Sequence, residues 1–267
     1  MLRDIVEIFL SPAPLHLGPM GYFRELAGIA RRAQECREEW QSHLARTRQV
    51  IEHAALGCGQ RDSVLVTGSG LLLDVPVEML ARNFQRVVLV DIHHGRETRR
   101  TVRHLANVEL VALDVTGVVR DCYRFARSGC RGPLPEGRPQ AIGDAPFDLA
   151  VSVNLVSQLA VMPRRYVLGH CPAFPPDRLK GFARDLISNH IDWLARHGDR
   201  VCLVTDIERH EDHCDGRKVV VDLLDGIRLG EPEETWTWFI APQGKVFRDR
   251  AVRHHVAAWR DYPSASR

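Results

Sequence analysis

The segment SVLVTGSGLLLDVP, residues 63–76, is an apolar run that leads into a glycine turn. Gly68 permits a tight turn at the end of a strand, and Gly70 lets the backbone approach a ligand closely. Dinucleotide-binding proteins have a third glycine here, which lets the next helix pack beside the pyrophosphate. In this chain leucines occupy residues 71–73 instead. The segment therefore predicts a ligand that contains a ribose but no diphosphate.

Short apolar runs recur along the chain and alternate with helical patterns. Near-continuous runs of this kind are typical of parallel strands covered on both faces, and helices between them imply right-handed crossovers. The pattern predicts an α/β fold, a doubly wound and mostly parallel sheet with helices on both faces. Helices are expected at 75–84, with Asp74 as N-cap, and at 178–196. Strands are predicted at 63–67, 86–91, 108–114, 147–154 and 200–206, with an antiparallel pair at 235–242 and 250–259.

The first part of the chain predicts a helical extension, residues 1–60, in front of a larger domain at 61–267. Apolar residues recur every three or four positions from Tyr22 to Ala54, which predicts one amphipathic helix of about nine turns. Gly57 is expected to end this helix. Because the apolar face is too long to remain exposed, we expect it to pack over the ligand-binding edge of the sheet.

Two predicted connections are unusually long. The segment 120–146 is rich in Arg, Gly and Pro, and its composition predicts a mobile surface insertion. The segment 160–177 mixes prolines with Met162, Tyr166 and other large side chains. Long loops of that kind are often lids over a binding site. We therefore expect this second segment to contribute a partly apolar wall to the ligand pocket.

Composition and charge limit the classes of partner. The chain has 36 Lys and Arg residues against 34 Asp and Glu residues, a net charge of +2, which lacks the strongly basic character of nucleic-acid-binding domains. The seven cysteines are scattered without a C-x-x-C pair, which favours a reducing compartment. Asp4 and Glu7 interrupt the apolar N-terminus, which makes a poor signal peptide. No apolar run reaches the length that a bilayer requires. We expect a cytoplasmic protein without membrane or nucleic-acid partners.

Two predicted strands end in an acidic residue. Asp91 ends the second strand 23 residues after Gly68, near the separation expected of a carboxylate that binds ribose hydroxyls. Asp114 ends the third strand, where a carboxylate could accept a hydrogen bond from an adenine amino group. Either acid alone could instead cap a helix or hold a turn. Because the carboxyl ends of parallel strands share one edge, the two acids and the glycine turn together indicate a nucleoside site.

The motifs VLVTGSG, VVLVDI, LVALDV and FDLAVSVN, with the terminal hairpin, resemble the class I S-adenosylmethionine-dependent methyltransferases over residues 60–260. The resemblance implies S-adenosylmethionine as cofactor and a seven-stranded sheet whose final strand is inserted antiparallel. Two positions depart from the family pattern, since Thr67 stands where an acid is common and Leu72 where many members have glycine. By position, the implied contacts are Gly68, Ser69 and Gly70 to the methionine part, Asp91 and Ile92 to the ribose, Asp114 and Val115 to the adenine, and Asn154 to the sulfonium.

Candidate catalytic residues follow the fifth predicted strand. Methyl transfer needs a base only if the acceptor must lose a proton. Asp206 and His210 are the candidates, and a histidine titrates near neutral pH. A polar surface loop is the alternative interpretation of this segment. His213 and Cys214 add ligand types that zinc accepts, but no four-ligand spacing is present, so we predict no metal site.

Two other classes of function compete with methyl transfer. The V-T-G-S-G sequence resembles the start of a short-chain dehydrogenase, but none of the four tyrosines is followed by a lysine four residues later. A methyltransferase-like domain that only senses the cofactor or acts as a scaffold is the non-enzymatic alternative. The arginines in 96–103 have no interleaved aromatic residues, so base stacking is not indicated. The sequence favours methylation of an oxygen or nitrogen on a small-molecule acceptor.

Overall fold

The computed structural model describes residues 13–143 and 146–263, and a single mixed sheet lies at its centre. Within these ranges eight strands form the sheet in the order β3-β2-β1-β4-β5-β8-β7, with β6 beside β5. Strands β1 to β5 pair in parallel, and β8 is antiparallel to both β5 and β7. The strands are β1 (Ser63–Thr67), β2 (Arg86–Asp91), β3 (Val108–Ala112), β4 (Leu149–Val153), β5 (Val201–His213), β6 (Lys218–Asp222), β7 (Glu234–Ala241) and β8 (Arg250–Trp259).

This topology confirms the doubly wound fold and the antiparallel insertion of the last strand. The expected number of seven strands is wrong, because β6 adds an eighth that pairs with the outer half of β5. Strand β5 is also longer than predicted, with 13 residues. Its outer half, IERHEDH, is charged, and it pairs with β6 on one side and β8 on the other. Pairing between distant segments produces this strand, and local apolar patterning does not reveal it.

Eight α-helices occur in the described ranges, and they cover both faces of the sheet. The predicted long N-terminal helix is in fact two helices, because the backbone leaves the helical region at Cys36, with φ −112° and ψ 34°. The second of them ends at Leu56, beside Gly57 as predicted. The helices are α1 (Leu17–Met20), α2 (Tyr22–Glu35), α3 (Arg37–Leu56), α4 (Val77–Asn83), α5 (Arg96–Val102), α6 (Val119–Arg127), α7 (Val161–His170) and α8 (Pro176–His197).

The core has two parts, one on each face of the sheet. Alternate residues of β1 point to opposite faces, so Leu65 packs with α6, α7 and α8 while Val64 and Val66 pack with α3 and α4. Val50 and Ile51 of α3 are almost fully buried in the second cluster. The N-terminal helices thus share a core with the sheet, which stabilises their position at its edge.

Both long connections differ from their predictions. Helix α6 occupies the start of 120–146, and its Cys122 and Phe125 are buried, so a surface insertion is wrong there. Its apolar residues stand at helical spacing between arginines, whose charges obscured the pattern. Most of the segment 160–177 is not a loop either, because it contains α7 and the first two residues of α8. Met162 and Tyr166 of α7 are buried.

A disulfide joins Cys130, just after α6, to Cys171, just after α7. The expectation that the cysteines are reduced is therefore wrong for this pair, while the other five are free. The two half-cystines are 41 residues apart in sequence and meet because α6 and α7 pack side by side, a contact that cysteine spacing does not reveal. None of the helices in the described ranges is long and apolar enough to cross a membrane. The prediction about the N-terminus concerns residues 1–12, which lie outside the described residues.

Candidate functional site

A cavity of about 290 Å³ lies at the carboxyl ends of the parallel strands, where the strand order reverses between β1 and β4. The turn after β1, the ends of β2, β3 and β4 and the middle of β5 line one side of it, and helices α2 and α3 line the other. The structure brings almost all of the predicted site residues together here. Those that line the cavity are Gly68, Ser69, Gly70, Asp91, Ile92, Asp114, Val115, Asn154 and Asp206.

The glycine turn has the backbone that its sequence predicts. Gly68 has φ +77°, and a Cβ atom at this position would lie 2.6 Å from the Val153 carbonyl oxygen. Only glycine fits there without strain. The Gly68 and Ser69 N–H groups both donate to the Val90 carbonyl, at 3.0 and 3.3 Å. These bonds hold the turn against the end of β2 and so place Gly70 beside Asp91.

Asp91 connects the turn to the second strand end. Its Oδ2 accepts the Gly70 N–H at 2.8 Å, and its Oδ1 accepts the Ile92 N–H at 2.8 Å. Burial raises the pKa of Asp91, and the hydrogen bond from Gly70 opposes this rise. A carboxylate offers about four lone-pair sites, so each oxygen keeps acceptor capacity after these bonds. The carboxylate can therefore accept further hydrogen bonds from ligand hydroxyls in the cavity.

The segment after the turn does not form a phosphate site. Helix α4 begins at Val77, seven residues after Gly70, so its N-terminal amides are not presented by the turn. Leu71 and Leu73 line the cavity instead. The prediction that Asp74 caps this helix is wrong, because the N-cap is Pro76 without a side-chain bond. Asp74 points instead to the far end of the cavity.

Asp114 lines the cavity but is strongly bonded within its own loop. Its Oδ1 accepts the Thr116 N–H at 2.9 Å and the Thr116 hydroxyl at 2.6 Å. Its Oδ2 accepts the Val119 N–H at 2.8 Å, which satisfies a donor at the start of α6. The capping role that the sequence left open for Asp114 is therefore confirmed. Its contact with an adenine amino group stays a prediction.

Tyr22, Phe23 and His93 complete the end of the cavity near Asp91 and Asp114. His93 is buried against the edge of Phe23, with ring centroids 5.2 Å apart. Its Nε2 has no hydrogen-bond partner in the part of the chain that the structure describes. Burial raises the pKa of Tyr22, and the Asp114 carboxylate raises it further. The first turn of α2 thus covers the strand ends that carry Asp91 and Asp114.

A hydrogen-bonded group of side chains forms the other end of the cavity. Asn154 follows β4 with φ +48°, a conformation that asparagine tolerates better than most residues. Its Nδ2 lies 2.6 Å from Asp74 Oδ2 and 3.2 Å from His43 Nε2. The Trp236 indole N–H donates to His43 Nδ1 at 3.1 Å, and the His43 ring stacks on Trp238 with centroids 3.9 Å apart. Burial lowers the pKa of His43 to about 4, so the ring is neutral.

The hydrogen-bond donors in this group of side chains determine which atoms of His43, Asn154 and Asp74 carry hydrogen. A neutral imidazole has one N–H, and because Nδ1 accepts from Trp236, the hydrogen of His43 is on Nε2. It would face the NH₂ group of Asn154, so the amide fits best with its oxygen turned toward His43 and Asp74. Asp74 must then donate. Burial raises the pKa of Asp74, and the charge of Asp206 adds to the rise. A protonated Asp74 meets this requirement.

Asp206 lies beside this group at a bulge in β5 and is fully buried. His254 of β8 approaches it, with Nδ1 3.0 Å from Asp206 Oδ2. The contact has ion-pair distance but not hydrogen-bond alignment, and neither Asp206 oxygen has a hydrogen-bond partner among the described residues. A buried carboxylate without donors is costly unless a ligand supplies them. Asp206 is therefore the cavity residue best placed to bind a polar group.

The structure does not bring His210 to the cavity. His210 lies four residues beyond Asp206 in β5, paired with Val220 and Arg253 of the neighbouring strands, and its Nε2 contacts Glu208 at 2.9 Å. At about 3.3 Å per residue, four positions correspond to about 13 Å along the strand. The polar loop that the sequence suggested is thus a strand. Across the described ranges, no group of three or more His, Cys, Asp or Glu residues is arranged to hold a metal ion.

Comparison with known proteins gives fold similarity only. No family model and no curated protein matches the chain. The 1,6-didemethyltoxoflavin-N1-methyltransferase of Burkholderia thailandensis, solved with S-adenosylhomocysteine, is similar at 14% identity and a TM-score of 0.41, over 88% of this chain and 89% of that one. The N-methyltransferase NodS of Bradyrhizobium japonicum has 13% identity, a TM-score of 0.39 and coverages of 96% and 97%. The 23S rRNA methyltransferase ErmE has 15% identity, a TM-score of 0.33 and coverages of 82% and 71%.

These solved structures are all methyltransferases, the class that the sequence motifs resemble. At such identities and scores, they leave the reaction and the acceptor of this chain open. The fold of the chain itself is a Rossmann-like α/β domain with a cavity at the carboxyl ends of its parallel strands.

Proposed function

We propose that this chain is an S-adenosylmethionine-dependent methyltransferase that acts on a small molecule. The observation that carries the proposal is the continuity of the cavity. One end has a carboxylate, Asp91, with acceptor capacity beside a glycine turn, and the other end has Asn154 and the buried, unbonded Asp206. A ligand with a nucleoside at one end and a reactive group at the other matches this arrangement.

The residues fit S-adenosylmethionine better than a dinucleotide. The ribose would bind Asp91, and the adenine would lie near Val115 and His93. The methionine part would lie along the turn at Gly68 and Gly70. A pyrophosphate would meet leucine side chains at the same turn, since the next helix starts seven residues later. The geometry therefore favours methyl transfer over hydride transfer.

The chain contributes orientation and exclusion of water. When bound, the cofactor supplies an activated methyl carbon on a sulfonium. Asn154 and Asp206 border the position where the acceptor would meet this carbon, and helices α2 and α3 cover it. Holding the reacting atoms in line contributes on the order of 7–11 kcal/mol to intramolecular reactions of this kind. Asp206 is the proposed general base for an acceptor that must lose a proton. His210 does not line the cavity and so is not a candidate for this role.

The helices that line the acceptor end support a small acceptor. Leu26 and Ile29 of α2 and Trp40 and Leu44 of α3 line the same cavity as Asp206. Side chains of this kind form a partly apolar pocket, which suits a small organic molecule. A nucleic acid would require a concentrated positive surface for its phosphates, and the net charge of the chain is only +2.

Two measurements test the proposal. Isothermal titration with S-adenosylhomocysteine and with NAD⁺ separates the classes of function, because only the former should bind. Incubation with methyl-labelled S-adenosylmethionine and a metabolite extract, or purified RNA and protein, then identifies the acceptor class. NAD⁺ binding alone would support an oxidoreductase. Cofactor binding with no transfer to any fraction would support the non-catalytic alternative, and label in macromolecules alone would contradict a small acceptor.

A further inference from the structure

The acceptor end of the cavity has a specific combination of buried groups. The two Asp206 oxygens have no hydrogen-bond partner in the described parts of the chain, and the Trp238 ring lines the same cavity. Both residues line the cavity, and Asp206 is fully buried. We propose that the acceptor is an amine carried on an apolar body, with its nitrogen held by Asp206 against the Trp238 side of the cavity. This inference rests on the proposed methyltransferase function.

An ammonium or amine would supply the N–H donors that the Asp206 oxygens lack. Each carboxylate oxygen can accept N–H bonds, and His254 Nδ1, 3.0 Å from Oδ2, is out of line for a hydrogen bond. An acceptor with two or three N–H groups would satisfy both oxygens at once. An alcohol has only one such hydrogen. The unmet capacity of Asp206 therefore favours nitrogen over oxygen as the methylated atom.

The electrostatics of the cavity disfavour an anionic acceptor. Burial raises the pKa of Asp74, and the charge of the nearby Asp206 adds to this rise. Arg32 also lines the cavity, but its guanidinium is engaged by Glu25 at 3.0 Å. An anionic acceptor would meet the Asp206 carboxylate, while the Arg32 guanidinium is paired with Glu25 and the Arg48 guanidinium, whose charge acts on Asp74, donates to the Leu73 carbonyl. A positively charged nitrogen would be attracted.

An aromatic wall completes the site. Trp40 and Trp238 contact each other edge to face, with centroids 4.9 Å apart, and both line the cavity with Ile240 and Leu44. These aromatic and aliphatic side chains would contact the apolar body of the acceptor. The wall is fixed, because the Trp40 N–H donates to the Ile240 carbonyl at 3.0 Å. The acceptor end thus combines one carboxylate with aromatic and aliphatic surface, a combination that suits a hydrophobic amine.

The chemistry balances with Asp206 as proton acceptor. A bound R–NH₃⁺ gives one proton to the Asp206 carboxylate, which becomes a carboxylic acid and frees the nitrogen lone pair. That lone pair forms the new N–CH₃ bond while the C–S bond breaks, with its electron pair going to sulfur. The products are R–NH₂⁺–CH₃ and the neutral thioether. Asp206 then releases its proton to solvent when the product leaves.

Matched probes on the full chain saturated with S-adenosylhomocysteine test this inference. We use 2-phenylethylamine, 2-phenylethanol and 3-phenylpropionate, which share a body and differ in charge, and measure their dissociation constants by NMR titration. The amine should bind at least about tenfold more tightly than the carboxylate. Asp206→Asn should reduce this preference at least about tenfold. Asp212→Asn, on the same strand but paired with Arg253 at 3.2 Å, should leave it unchanged.

A second variant covers the case in which Asp206→Asn does not fold. Leu44→Lys places a positive charge at the half-exposed edge of the same wall and should weaken amine binding relative to the carboxylate. Binding of S-adenosylhomocysteine is measured on every sample. If it binds and wild type prefers the carboxylate or the alcohol, or the preference survives Asp206→Asn, the amine inference is overturned while the proposed function stands. If S-adenosylhomocysteine does not bind wild type, the proposed function itself fails.

Discussion

Substitution of Asp91 by alanine removes a carboxylate that has two roles. It accepts the Gly70 and Ile92 N–H groups, each at 2.8 Å, and it is the proposed partner of the ribose hydroxyls. A hydrogen bond to a charged group contributes about 1.5–3 kcal/mol, so S-adenosylhomocysteine should bind about 10- to 150-fold more weakly. Burial raises the pKa of Asp91, so desolvation offsets part of the two backbone bonds. The unfolding free energy should fall by about 1–3 kcal/mol.

Asp148→Ala is a matched control for the structural part of this effect. Its Oδ2 accepts the N–H groups of Asp62 and Ser63, at 2.7 and 2.8 Å. These contacts lie at the amino ends of β1 and β4, whereas the cavity lies at the carboxyl ends of the strands. This variant should lose stability in chemical denaturation without losing affinity in isothermal titration. Titration with 2′-deoxy-S-adenosylhomocysteine separates the two roles of Asp91, because removing the hydroxyl should weaken binding to wild type but not to Asp91→Ala. Wild-type affinity in Asp91→Ala would refute the assignment of this carboxylate to the ribose.

Three further predictions follow from the same structure. Burial lowers the pKa of His43 from 6.5 to about 4, so as the pH falls the unfolded state takes up this proton before the folded state does, and about 3 kcal/mol of the unfolding free energy should be lost between pH 6.5 and pH 4. Chemical denaturation of His43→Gln should show a weaker dependence of the unfolding free energy on pH over this range. An unchanged dependence would contradict the burial of a neutral His43. Gly68→Ala should cost more stability than Gly216→Ala, since both have positive φ but only Gly68 has a carbonyl 2.6 Å from the added Cβ, and equal losses would contradict a tight turn. Thiol titration of the chain, denatured without reductant, should count five thiols. Replacing both Cys130 and Cys171 by serine should lower the unfolding free energy by about 4 kcal/mol, because the disulfide closes a loop of 41 residues. A count of seven thiols would show that the disulfide does not form and would agree with a reducing compartment.

The sequence predicted those elements whose signal is local. Strands β1 and β2 have the predicted bounds, because each is a nearly uninterrupted β-branched run that ends at a turn or an acid. The glycine turn and Asp91 were predicted because the spacing of such residues reflects the geometry of neighbouring parallel strands. Strand β3 is shorter than predicted, ending at Ala112, and Asp114 instead belongs to a turn that its own side chain holds by accepting the Thr116 N–H.

The acceptor end depends on contacts that no local pattern encodes. His43 and Trp236 are 193 residues apart and meet only after α3 packs on β7. Two patterns did point to the aromatic wall: the alternation in TWTW places Trp236 and Trp238 on one face of a strand, and Trp40 belongs to the apolar helical stripe between Tyr22 and Ala54. The role of Asp74 was predicted wrongly because its position before a helix favours an N-cap, and only the fold brings Asn154 within 2.6 Å of it.

A crystal structure of the chain with S-adenosylhomocysteine tests the central claim most directly. We predict one bound molecule in the cavity, with ribose hydroxyls within hydrogen-bond distance of Asp91 and the sulfur beside Asn154, facing Asp206 and the Trp238 wall. A ligand bound elsewhere, or one in the cavity whose ribose does not contact Asp91, would contradict the proposed methyltransferase site.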